Sequence, residues 1–218
     1  VVGFDGYDVF NNVKLVDEVQ NEYREEGGVK GWYYTAKNLK ETDMKFGSMS
    51  IATTNSGQTY KKKWLHGQWT DNAQDFWDDF ASDGKLNEEE EIEAKGCDLL
   101  EHYDFSFLNL KERISSISSY ETIAPNETKV FEFMISWYFP NRPKGWIEYD
   151  EDLERYRQGG YDTIKNYYAT KFTDAWDVLQ YVKRKKEYLE GTSHAFEDAL
   201  YNTSLPYYVI DAVASNIM

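Results

Sequence analysis

Between Phe131 and Met218 the spacing of apolar residues changes once, from every second position to every third and fourth. That switch limits the chain to a sheet followed by helices. Phe131, Phe133, Ile135 and Trp137 alternate with Glu132, Met134, Ser136 and Tyr138. This is the period of a strand with one face on a core. Pro140 and Pro143 stop the strand, because neither can donate to a ladder. From Asp162 onward Ile164, Tyr168, Phe172, Ala175, Leu179 and Val182 make a helical stripe. Asp162 is placed to cap that helix and Gly191 to end it as a C′ glycine. Ser193 caps a further helix, and Leu205-Pro206 restarts another, with Pro where its missing N–H costs nothing. This last helix carries Val209, Ile210, Val213 and Ile217 and ends without Gly, Pro or a polar tail. The pattern is that of a chain cut before the partner of an apolar helix.

Upstream, weak strand signals run through Val1, Phe4, Tyr7 and Phe10, and return at Trp32, Tyr33 and Tyr34 after Gly27-Gly28. Gly47 to Thr54 reads as a strand with Met49 and Ile51 on one face, followed by a turn at Asn55-Ser56-Gly57. Tyr60 to Trp69 reads as another strand. Thr70-Asp71-Asn72 resembles a helix N-cap, Phe76, Trp77 and Phe80 share helical spacing, and Asp83-Gly84 closes the segment. Leu99–Leu110 and Arg113–Ile123 have strand character, and Ala124 to Glu127 forms a turn. Many short strands with one short helix predict a β-sandwich, followed by a helical C-terminal segment.

The 218 residues suffice for a sizeable core. A net charge of −15 argues against nucleic acid, which is bound by neutralising its phosphates, and against anionic membrane surfaces. The runs Lys61–Lys63 and Lys183–Lys186 are too short to reverse that. No run of apolar residues is long enough to span a bilayer. The first residues lack a signal-peptide core, which leans towards a cytoplasmic setting. One cysteine, Cys97, excludes an intramolecular disulfide. Sequons at Asn126 and Asn202 carry little weight. Eighteen Tyr, seven Trp and twelve Phe fit either an aromatic core or a protein that stacks rings on sugars, the core being the better reading.

Few residues suggest chemistry. Asp71, Asp75, Asp78 and Asp79 share one side of the short helix and read as a solvated acidic face. His66, His102 and His194 have no ligand spacing, and Asp150, Glu151, Asp152 and Glu154 lack the pattern of a calcium loop. No metal or cofactor is expected, and no Gly-rich phosphate loop or nucleophile motif is present.

The segments FEFMISWYFPNR, YATKFTDAWDVLQYV and LYNTSLPYYVIDAVASNI resemble the family 116 glycoside hydrolases, the β-glucosidase group that includes the non-lysosomal glucosylceramidase. GWYYTAKN with FGSMSIAT, FWDDFASDGKL, and SYETIAPNETKVFEFMISWYFP agree with it, so the resemblance runs from about Gly31 to Met218. It implies a β-sandwich over residues 1–143, a helical linker over 144–204, and the first helix of a catalytic (α/α)6 barrel over 205–218. The barrel itself, in the same or a partner chain, would be the partner. The family's catalytic carboxylates fall downstream, so no catalytic residue is carried onto this chain, and the chain alone is expected to be inactive. The parent reaction would be retaining hydrolysis of a β-glycoside, without a cofactor. Arg142 and Trp146, after the last strand, would form a rim of the pocket; the alternative is that Asn141 and Arg142 only pin the corner. The rival reading is a stand-alone carbohydrate-binding module or a split subunit.

Overall fold

A computed structural model describes residues 2–3, 7–8, 13–14, 18–37, 39–43, 45–62, 64, 71–88, 114–144 and 163–216. In chain order the elements are β1 (Val2–Gly3), β2 (Tyr7–Asp8), β3 (Val13–Lys14), β4 (Glu18–Glu26), β5 (Val29–Lys37), β6 (Ser48–Thr53) and β7 (Gln58–Lys61). Then follow α1 (Asp71–Asp83), β8 (Ile114–Ser119), β9 (Phe133–Tyr138), β10 (Asn141–Pro143) and β11 (Thr163–Lys165). A 3-10 turn at Tyr167–Thr170 leads to α2 (Ala175–Tyr201) and α3 (Tyr207–Ala214). The protein is mainly antiparallel β, with its helical part at the C-terminal end. It divides into two compact units, Val1–Leu179 and Gln180–Met218.

In the first unit the strand order is β4-β5-β6-β9 in one sheet and β1-β8-β7 in another. The β4–β5 hairpin is in register from Glu18↔Lys37 to Glu26↔Val29. Its two-residue turn, Gly27-Gly28, has φ of 57° and 77°, the left-handed pair that suits the twist of a tight hairpin and that glycine adopts without strain.

Directly paired residues share a sheet face, so one face carries the row Tyr23, Trp32, Ile51, Ile135 and, beside it, Asn21, Tyr34, Met49, Trp137. The core forms here around Trp32, Tyr34 and Ile51, with Tyr60 and Ile117 of β7 and β8 packed on it. Tyr23 stacks on Tyr60 with ring centroids 3.9 Å apart. The serine-rich strand β8 suits this place because it receives the polar tips of the rings. Trp32 Nε1 donates to the Ser116 carbonyl at 2.8 Å, Trp64 Nε1 donates to Ser116 Oγ at 2.7 Å, and the Tyr34 hydroxyl meets Ser115 Oγ at 2.6 Å. Rings whose N–H and O–H groups find partners are buried without the cost of an unmade hydrogen bond. These rings serve the core, whereas Trp77, Trp137, Tyr167, Tyr188, Tyr207 and Tyr208 are exposed.

The opposite face meets the first turn of α2. Ser48 Oγ accepts from the Ala175 N–H at 2.9 Å, and Ser136 Oγ donates to the Ala175 carbonyl at 2.7 Å. Trp176 Nε1 donates to Glu26 at 2.8 Å, and the Arg24 guanidinium lies 3.6 Å from the centroid of the Tyr33 ring. Small hydroxyl residues let the helix backbone come close, and Ser48 supplies the acceptor that the N–H at the helix start lacks.

Several expectations are corrected by the structure. Strand β9 buries Met134, Ser136 and Tyr138, while Phe133, Ile135 and Trp137 are 45%, 56% and 65% exposed. The more apolar side faces outward because α2 claims the other side, whereas β7 and β8 cover β4 and β5. The segment from Asp162 is not one helix. Asp162 lies outside the described residues, Ile164 is in β11, Tyr168 is in the 3-10 turn, and α2 begins only at Ala175. Nor does Gly191 end a helix: α2 runs through it, and through Ser193, to Tyr201. Of the expected strand at Tyr60–Trp69, Tyr60 and Lys61 lie in β7, Lys62 and Trp64 are not in a strand, and the other positions are outside the described residues. The α1 helix, the turn at Asn55–Gly57 and the restart after Pro206 stand as expected.

In the second unit α2 continues and α3 follows a short bend. Tyr188, Phe196, Tyr207, Tyr208 and Val213 are all at least half exposed. No helix among the described residues is long and apolar enough to cross a membrane.

Candidate functional site: the strand-to-helix corner and its neighbours

The chain turns after β9, and the β10–β11 ladder together with side-chain bonds holds the turn. Pro140 is fully enclosed. Asn141 Nδ2 donates to the Glu41 and Asp43 carbonyls, each at 2.7 Å. The Asn166 N–H donates to the Pro140 carbonyl at 2.7 Å and its side chain donates to the Phe139 carbonyl at 3.2 Å. The Tyr168 hydroxyl lies against the Phe139 backbone, accepting from its N–H at 3.1 Å and meeting its carbonyl. Tyr168 also packs edge-on against Tyr138, with centroids 5.7 Å apart. Burial first, and then the neighbouring Tyr168, hold the Tyr138 phenol above the usual range.

Arg142 stands on β10 opposite Ile164 and is exposed. Asn141 bonds the corner through its side chain, and Arg142 belongs to the β10–β11 ladder beside it. Trp146, the other residue expected on a pocket rim, lies outside the described residues, as do Asp150, Glu151, Asp152, Glu154, His66, His102 and Cys97. His194 is exposed and 3.4 Å from Glu197 on the same helix. Among the described residues no group of His, Cys, Asp and Glu is placed to hold a metal ion.

The acidic side of α1 has a structural use that spacing does not reveal. Lys61 Nζ lies 3.0 Å from Asp75 and 3.5 Å from Asp79, with the Asp79 side chain 9% exposed. Asp79 also accepts from the Asn87 N–H at 3.1 Å and from its side-chain amide. The Leu86 N–H donates to Thr59 Oγ1 at 2.9 Å. Together these bonds fasten α1 and the chain after it to β7. A lysine read as part of a solvated basic run is thus the counter-ion of the helix. The signal missing from the sequence is long-range: the helix folds back onto the preceding strand.

A second surface is the exposed side of β9. Phe131, Phe133, Ile135 and Trp137 follow one another at every second position, and all are more than two-fifths exposed. Among the described residues β9 is also the edge of its sheet. An apolar ridge on an edge strand is the kind of surface that natural proteins cover with another element or a partner.

Over residues 3–189 the chain matches the family model described as beta-glucosidase 2, glycosyl-hydrolase family 116 N-term. None of the curated proteins matches it. With more than four-fifths of its length inside that match, the chain belongs to the family of N-terminal domains of family 116 glycoside hydrolases.

Proposed function

We propose that this chain is the non-catalytic N-terminal portion of a family 116 glycoside hydrolase that cleaves β-linked glycosides with retention. The family match over residues 3–189 carries the reading. In it the two larger sheets form a β-sandwich, residues 144–204 act as a helical linker, and residues 205–218 open a catalytic (α/α)6 barrel. The barrel comes from outside these residues, in the same chain or in a partner. Retaining hydrolysis needs two carboxyl groups about 5 Å apart across the scissile bond, one nucleophile and one acid/base. Asp75 and Asp79 do not suit those roles, because both are engaged by Lys61. The exposed rings of α2 and α3 support a reading in which these helices pack on further helices.

The sheet domain then supports and orients the barrel, and Arg142 with Trp146 borders the aglycone side of its pocket. The 218-residue chain should show no turnover of aryl β-glucosides, while the same chain continued through its barrel should turn them over. Activity in the short chain, or none in the long one, would overturn the reading. Arg142→Ala in the long protein should alter KM between aglycones and leave kcat nearly unchanged; unaltered aglycone preference would remove Arg142 from the rim.

The apolar ridge of β9 favours a second reading, a stand-alone sugar-binding module with Trp137 as its stacking platform. Retardation of the chain in gels containing β-glucan, abolished by Trp137→Ala, would establish that reading in place of the first.

A further inference from the structure

We propose that the turn Gly191-Thr192-Ser193 is a bending point built into α2. Four observations converge on it. Gly191 sits inside a 27-residue helix, where glycine is the weakest ordinary residue because its backbone loses most freedom. A Cβ placed there would meet nothing within 4 Å, so close packing does not demand the glycine. Next, the Thr192 hydroxyl donates back to the Tyr188 and Leu189 carbonyls, at 2.9 and 3.0 Å. Such back-bonding competes with the helix ladder and bends it.

Third, the helix is exposed at this point. Its buried residues are Ala175, Trp176 and Leu179, all in the opening turns, and every residue from Glu190 to Ala199 is exposed. The Lys186–Glu190 pair stops short of Gly191, and the His194–Glu197 pair begins after it. Each stretch is thus braced within itself. Fourth, the match to the N-terminal family ends at residue 189, two positions before the glycine. The soft turn falls where the recognised domain gives out.

Residues 180–190 and 194–216 are therefore not held in one line. The helix is anchored through Ala175, Trp176 and Leu179 and loses its stiffness two residues after the family match ends. This bend does not depend on which glycoside is cleaved, or on whether any is.

The test uses the whole chain with Cys97→Ser and nitroxide labels at Arg184→Cys and Asp198→Cys. A straight helix puts these positions about 21 Å apart along its axis. With Gly191 the distance distribution should be broad, and Gly191→Ala should collapse it to one narrow peak. The same substitution should slow amide exchange at residues 191–196 about fivefold, the ratio expected when alanine replaces glycine in an exposed helix. Since the site is open, the variant keeps the fold. A narrow distribution with Gly191 in place, equal to that of the alanine variant, would overturn the proposal.

Discussion

Tyr34 is wholly enclosed, and its hydroxyl meets Ser115 Oγ. Burial drives its phenol well above the usual value of 10.0, and the Ser115 bond offsets only part of that. Tyr23 is raised likewise, again chiefly by burial. An unfolded tyrosine gives up its proton near pH 10, while the folded protein keeps both protons to higher pH. Above about pH 10 the folded state therefore binds more protons than the unfolded one, and stability falls as pH rises. Below that pH the contribution is fully present. Urea midpoints should be flat from about pH 8 to pH 10 and drop beyond it. Tyr34→Phe should cost about 1–2 kcal/mol at pH 8, since it leaves Ser115 Oγ buried without its partner, and its alkaline limb should be shallower. An unchanged limb would mean that Tyr34 does not carry the effect. At this scale the sequence guides only in part. It marked Trp32 and Tyr34 as a strand, but the serines that receive them lie more than eighty residues away.

Elements were legible where the pattern is local and illegible where neighbours decide. The α1 helix could be read from its cap, its apolar spacing and its closing glycine, because all three act within one or two turns. β9 could be read as a strand from its alternation, but not which side is buried. Alternation records two faces, and the one that becomes core is chosen by whatever docks there. The first turn of α2 needs serines at close approach, and it took the face of Ser136. The stripe that included Ile164 and Tyr168 mimicked a helix because a short strand, a 3-10 turn and a helix happened to keep their apolar residues in phase. The inversion at β9 is measurable. Met134→Ala should cost about 2–4 kcal/mol, whereas Ile135→Thr, on the outward side, should stay within about 0.5 kcal/mol. Urea unfolding of the two variants decides it, and a larger loss at Ile135 would contradict the assignment. The corner divides similarly. Asn141 and Arg142 both fitted a pinning role by position and the side-chain bonds there are those of Asn141, whereas the Lys61 clamp was hidden in a basic run.

For the molecule as a whole, 39 acidic against 24 basic side chains leave a net −15. Like charge at that density opposes compaction, and salt shortens the range over which it acts. Raising NaCl from about 50 mM to about 500 mM should therefore raise the midpoint of thermal unfolding. A fall would show that ion pairs such as Lys61–Asp75 outweigh the general repulsion. The outward ridge on β9 has a different consequence. Trp137, 65% exposed, and Trp32, 1% exposed, form two ends of an optical scale: one indole emits in water, the other among rings. Acrylamide should dim the first long before the second. Whatever closes over β9 will shift the emission of Trp137 to shorter wavelength and shield it from the quencher, so the chain carries its own lamp for its partner's arrival.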